Sequence, residues 1–283
     1  MPRYKLTLAY DGTAYSGWQV QPNGVSVQEK LETALAAIAR EPCKAHGSGR
    51  TDRGVHARRQ IAHADLGKPW DPAVLMRGVN ALLPPDIRVT ALARAAQRFH
   101  ARRDATAKEY RYFIWNGPVL PPFLLRYRCH VKTPLDIAAM RCAARHLTGR
   151  HDFSAFSANP RREVESCVRT VFALDVLKKG PELEIRACGD GFLYKMVRSL
   201  AGFLIRAGEG AVAPETAADI LASRERTARV PTAPARGLFL WRVSYAPGRR
   251  RPCEYGCAAG RAMVQHGDWQ GPGARERQTG KSL

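Results

Sequence analysis

The hydrophobic period along this chain switches between strand and helix in one order, and it runs through that order twice. Tyr4, Leu6, Leu8 and Tyr10 alternate with Lys5, Thr7 and Ala9, the two-residue period of a strand with one apolar face. Asp11-Gly12 ends it. Ser26, with Glu29 three residues on, makes a capping-box pattern, and Val27, Leu31, Leu35 and Ile38 fall on one face of the helix that follows. A short strand near 43–47 and a longer one near 59–66 come next. Asp71-Pro72 opens a second helix, with Val74, Leu75, Val79 and Leu82 as its expected buried face and Pro84-Pro85 as its stop. A strand at 87–93 completes the order β-α-β-β-α-β.

The second half repeats it. An aromatic strand at 110–115 leads to a helix behind Thr133-Pro134 and Asp136, closed by Gly149. Strands at 167–177 and 183–188, a helix at 192–207, an added short helix near 214–223 and a strand at 237–245 follow. The last strand is apolar on both faces over its first half, so it is expected inside the sheet and not at its edge. The pattern predicts an α+β protein built from two tandem ferredoxin-like (βαββαβ) modules, one over residues 1–105 and one over 106–248. Sheets of this kind often bind RNA on an open face. Residues 249–283 turn to Gly, Arg, Pro and Gln and are expected to form a disordered basic tail.

Charge narrows the function. The 283 residues carry a net charge of +20, and the last 35 hold only 7 basic and 3 acidic residues of it. The folded body is therefore strongly basic, which points to a polyanion, nucleic acid before a membrane surface. No apolar run approaches the ~18 residues that span a bilayer, and no secretory core follows Met1. A cytoplasmic protein without membrane association is expected. Seven cysteines, an odd number at irregular spacing, suit buried thiols in a reducing compartment better than a disulfide framework. Cys253, Cys257 and His266 lack a fourth ligand at a known spacing, so no metal is expected. The Gly-rich stretches fit neither the dinucleotide fingerprint nor the Walker pattern, and no small-molecule cofactor is expected.

One string concentrates the chemistry: Gly49-Arg50-Thr51-Asp52-Arg53-Gly54-Val55-His56-Ala57. It sets a single carboxylate between two arginines, with glycines that allow a tight turn at positive φ. Flanking arginines favour the carboxylate anion and offer donors to phosphate. Such a group suits nucleophilic or electrostatic work; a plain surface turn with a solvated Arg–Asp pair is the alternative. Tyr110 and Tyr112 share a face of the aromatic strand beside cations, as in stacking platforms for bases, although Tyr112 fits a core role as well. Arg198 lies among Met196, Val197, Leu200 and Phe203 on an apolar helix. There it either reaches solvent or pairs with a buried acid, and Asp52 is the acid expected. His63 fits a strand position, and His151-Asp152-Phe153 fits a turn with a structural phenylalanine.

This string resembles the G-R-T-D-x-G-V-H-A signature of the TruA family of tRNA pseudouridine synthases. Four more segments are similar in the same order: Tyr10 to Gln19, Phe99 to Arg102 with Tyr110 to Tyr112, His151 to Phe156, and Met196 to Arg198. The resemblance spans about residues 3–246 and says nothing of the tail. It implies a pseudouridine synthase fold with a mainly antiparallel sheet and a central basic cleft. It implies isomerisation of uridine to pseudouridine at positions 38, 39 and 40 of the tRNA anticodon stem-loop, by base flipping, without a cofactor, in a homodimer. By motif, Asp52 becomes the nucleophile, acting on C1′, on the base or through an elimination. Tyr110 becomes the residue that stacks on the uracil, Arg198 the partner of the Asp, and Arg50 the residue that holds the base out. Arg53, His56 and Arg102 are the expected RNA contacts. A non-catalytic RNA-binding protein and a pseudouridine synthase for another RNA are the competing functions; the lone anion on a Gly-rich loop argues against a pure binder.

Overall fold

The computed structural model describes residues 1–158 and 166–245. The expected tail and its Cys253, Cys257 and His266 lie outside them. The first half runs β1 (Arg3–Tyr10), α1 (Val27–Ala39), β2 (Ala45–Gly47), β3 (His56–Asp65), α2 (Pro72–Leu82) and β4 (Ile87–Ala95). The second runs β5 (Ala107–Trp115), β6 (Cys129–His130), α3 (Ile137–His146), β7 (Gly149–Asp152), β8 (Val168–Lys179), β9 (Glu182–Gly189), α4 (Met196–Gly208), α5 (Thr216–Ser223) and β10 (Leu238–Ser244). The protein is α+β with a mainly antiparallel sheet.

Local chemistry explains most boundaries. Ser26 and Glu29 cap α1 reciprocally, and Asp71 and Asp136 accept N–H groups at the starts of α2 and α3. In α2 only Leu75 and Val79 are buried; Val74 and Leu82 are exposed, against expectation. Val74 lies about 100° round the helix from Leu75, and Leu82 is the last helical residue. α4 begins at Met196 and not near 192, because Lys195 takes a left-handed conformation (φ 56°) that a helix does not tolerate. The short strands β6 and β7 carry no alternating pattern and were not expected.

All ten strands join one sheet, in the order β4-β1-β3-β10-β5-β9-β8-β7, with β2 on β3 and β6 on β5. β10 sits between β3, which it meets in parallel, and β5, which it meets antiparallel. Its interior position follows from its two apolar faces, as expected. Register then aligns one row across both halves on a single face: Tyr10, Ala57, Leu240, Tyr110, Ala187 and Leu174. All six are buried. α1 packs on α2 and α3 on α4, and the buried side chains of helices and sheet form one apolar cluster. The next row, on the opposite face, runs His56, Phe239, Arg111, Arg186 and Asp175.

His63 of β3 is buried on that second face, stacked on His46 with ring centroids 5.0 Å apart and edge-on to His100 at 4.8 Å. Its Nδ1 accepts the Ala101 N–H at 3.2 Å. Burial, then the charges of Arg3, His100 and His46, push its pKa from 6.5 down to about 4. The fold therefore favours neutral imidazole. Its contribution is complete above pH ~6.5 and is lost as pH falls towards 4, at most roughly 3 kcal/mol. His63→Asn keeps an acceptor for Ala101 and should flatten this acid limb. Denaturant unfolding at pH 7 and at pH 4.5 checks it: an equal loss of stability in variant and wild type would remove His63 as the cause.

Candidate active site

The loop between β2 and β3 carries Asp52, and it is braced from two sides. Ser48 Oγ donates to Gln60 Oε1 at 2.7 Å, and Gln60 Nε2 donates to the Gly49 carbonyl at 2.8 Å, tying the loop's start to β3. From the other side, Tyr10 and Thr51 share a hydroxyl hydrogen bond of 2.8 Å, and the Trp18 N–H donates to the Thr51 carbonyl at 3.1 Å. That approach needs Gly17, whose Cβ would lie 2.5 Å from the Thr51 oxygen and whose φ is +94°. Gly54 turns the chain at φ +75° so that Val55 N–H can reach back to the Asp52 carbonyl at 3.1 Å. The expected tight turn at positive φ is made by Gly54; Gly49 does not take positive φ. The 10–18 segment is thus a structural member of the site, a role its sequence hints at only through Gly12 and Gly17.

Arg198 meets Asp52 from the opposite half. It sits in the first turn of α4, where Met196, Val197 and Leu200 are buried. Its Nε donates to the Ala233 carbonyl at 2.8 Å, while the Ala233 N–H donates to the Arg198 carbonyl at 3.0 Å. So fixed, Nη1 reaches Asp52 Oδ2 at 3.2 Å. Both side chains are largely covered, 14% and 20% exposed. Of the two alternatives for Arg198, pairing with an acid is the one the fold adopts, across 146 residues of sequence.

Tyr110 completes the group. It lies in the buried row beside Leu240, and its ring stands edge-on to Phe192 at 5.4 Å. Burial first, then the nearby Tyr10 and Asp52, raise its phenol pKa well above the ordinary value, so the hydroxyl keeps its proton at neutral pH. Tyr112 is fully buried with its hydroxyl on the Pro234 carbonyl at 3.0 Å, a core residue. Asp152 accepts the Ser154 N–H at 2.9 Å in a turn over buried Phe153.

Asp52, Tyr110 and Arg198 open into a cleft of about 1660 Å³. Among the described residues that line it are nine lysines and arginines, including Arg50, Arg53 and Arg102, and one carboxylate, that of Asp52. His56 is not among them. It lies 1% exposed in the row that faces the other way, with Nε2 on the Arg126 carbonyl at 3.0 Å, Nδ1 accepting the Gly12 N–H at 3.1 Å, and Asp11 alongside. Its ring stacks on Phe239 at 4.5 Å. His56 was expected to contact RNA; strand alternation instead sends it away from Ala57 and the cleft. Among the described residues no cluster of His, Cys, Asp and Glu has the makings of a metal site, and no helix is long and apolar enough to cross a membrane.

A lone acid gripped by an arginine in a cation-lined cleft has known relatives. The family described as tRNA pseudouridine synthase matches residues 7–103 and 143–246. The chain belongs to the tRNA pseudouridine synthase family. Both Asp52 and Arg198 lie in the matched blocks; Tyr110 lies between them. A protein of Brevibacillus brevis, tRNA pseudouridine synthase A, is 44% identical over 247 residues, 87% of this chain and all of its own length. The protein of the same name from Syntrophotalea carbinolica is 45% identical over 243 residues, 86% of this chain and 96% of its own. A third, from Exiguobacterium sibiricum, is 40% identical over 250 residues, 88% and 99% of the two chains. The resemblance to the TruA family seen in the signature string is met, and the chain is an enzyme of the isomerase class.

Proposed function

We propose that this enzyme isomerises uridine to pseudouridine at positions 38, 39 and 40 in the tRNA anticodon stem-loop, with Asp52 as the nucleophile acting on a flipped-out nucleoside. The observation that carries this reading is the single carboxylate, held by Arg198, in a cleft whose other lysine, arginine, aspartate and glutamate side chains are all cationic. The N1–C1′ bond breaks, the uracil turns, and C5 joins C1′. C5 loses its proton and N1 gains one, so nothing is oxidised and no group leaves. Attack on C1′, addition to the base and elimination through a glycal all draw on the same anion at the same place.

The other side chains take supporting roles in this reading. Tyr110 stacks on the uracil and, as a protonated phenol, orders the groups around C5. Arg198 orients the carboxylate and offsets its charge as the base covers it. Arg50 holds the base out, and Arg53 and Arg102 take backbone phosphates, whose contacts offset the few kcal/mol that flipping costs. The strand orders β4-β1-β3-β2 and β10-β5-β9-β8 support two ferredoxin-like modules, 1–105 and 106–248, that meet at β3 and β10. We further propose a cytoplasmic homodimer in which one tRNA touches both subunits.

The test is to incubate the protein with an unmodified tRNA transcript and map pseudouridines by carbodiimide-adduct primer-extension stops. Stops at 38, 39 or 40 support the reading; stops elsewhere, or none, overturn the assigned position. Tyr110→Phe separates stacking from proton transfer. It should bind RNA as wild type does but slow the chemical step in single turnover, and equal rates would remove the hydroxyl from the mechanism.

A further inference from the structure

Lys108 precedes Tyr110 by two residues on β5 and so shares its face, about 7 Å along the strand. Its side chain is half-buried in the cleft wall. Its cross-strand partner on β9 is Gly189, and across the cleft it meets Gly49, whose Cβ would sit 3.4 Å from Nζ. The charges around it are cationic. Arg102, from the turn after β4, and Arg169, from β8, both act on its ammonium group; Arg103 and Arg50 line the same cleft, as does His100, whose pKa burial and then Arg103 push below the ordinary value.

Each acid nearby is engaged elsewhere. Asp52 is held by Arg198, Asp104 accepts the His100 N–H at 2.9 Å, and Asp190 accepts the Thr170 N–H at 3.0 Å. Glu109 faces the other side of β5 and pairs with Arg111 at 2.8 Å. Among the described residues no carboxylate comes within 4.0 Å of the Lys108 nitrogen. Lys108, Arg102 and Arg169, gathered in a half-dry wall, repel one another until an anion arrives.

We propose that Lys108, with Arg102 and Arg169, seats the RNA backbone phosphate next to the target nucleotide, and so sets the distance between that nucleotide's ribose and Asp52. The proposal rests on the RNA-modifying reading above and deepens it. Burial, then Arg102 and Arg169, lower the lysine's pKa to about 8 in the free protein. A phosphate reverses that balance, so binding draws in a proton as pH rises past neutrality. Affinity for RNA should therefore fall between pH 7 and pH 9, by up to about tenfold for one such group.

The experiment measures binding of an anticodon stem-loop transcript with cytidine at the target positions, which cannot react. The readout is thus separate from pseudouridine formation, and a failure of the catalytic assignment would not be mistaken for a failure here. Lys108→Gln should weaken binding about tenfold at pH 7 and lower the salt slope by about 1, since one phosphate contact is lost. Lys108→Arg, charged at every pH used, should bind like wild type at pH 7 and lose the decline towards pH 9. Wild-type affinity and salt slope in Lys108→Gln would overturn the proposal. So would a decline of equal size in wild type and Lys108→Arg, or a variant that binds normally and fails only in turnover. Thermal midpoints of both variants check that the fold is intact.

Discussion

Asp52→Asn is expected to abolish pseudouridine formation, a loss on the order of 10⁴-fold or more, as when a nucleophile is removed. The amide has the shape of the carboxylate and can still accept from Arg198, now at 3.2 Å from Asp52 Oδ2. The loop is braced through Thr51, Gly49 and Val55, none of which depends on the Asp52 side chain. The fold should therefore be unchanged. RNA affinity should stay within about tenfold, ~1.4 kcal/mol, because phosphate contacts from the other cleft residues are untouched. Binding and single-turnover product formation on one unmodified transcript measure both effects together. Near-normal turnover would falsify the catalytic assignment; a large loss of binding would recast Asp52 as a positioning residue.

Arg198→Lys should cost about a hundredfold in the chemical step, ~2.7 kcal/mol, although charge is conserved. The guanidinium divides its donors between Ala233, at 2.8 Å, and Asp52. A lysine is a point charge on a flexible stem and cannot hold both. Either the carboxylate loses its orienting contact, or the segment before β10 keeps only its backbone bond to α4 and loses the side-chain one. Single-turnover rates together with thermal midpoints distinguish the two. A slower step at an unchanged midpoint supports the orienting role. Wild-type rates would show that proximity of positive charge suffices.

Much of this arrangement is legible in the sequence because it rests on local signals. Alternation marks β1, capping residues mark α1, α2 and α3, and the two apolar faces of β10 mark an interior strand. The Asp52–Arg198 pair is legible only in part: an arginine on an apolar helix either reaches solvent or pairs with an acid, and it is the resemblance to the TruA family, more than the residues themselves, that favours the pair. What stays hidden depends on tertiary register. His56 and Ala57 are neighbours in the signature string, yet alternation puts one on each side of the sheet, and only the pairing with β10 decides which faces the cleft. Lys108 looks like an ordinary surface lysine until Gly189 and Gly49 are seen beside it. The brace from Trp18 to Thr51 joins segments with no periodic relation. Lys195 disguises the start of α4, since its sequence continues a helical pattern that its backbone refuses.

The position of β10 has a consequence for biogenesis. Asp52 comes from the first half, Tyr110 and Arg198 from the second, and the strand that brings them together is the final element of the described fold. A ribosome that has delivered only the first two hundred or so residues has made the acid and its guanidinium partner without the strand that joins their sheets. On the site assignment proposed above, reactivity towards RNA waits for near-complete synthesis, and a nascent chain threading past structured nucleic acid carries no assembled centre.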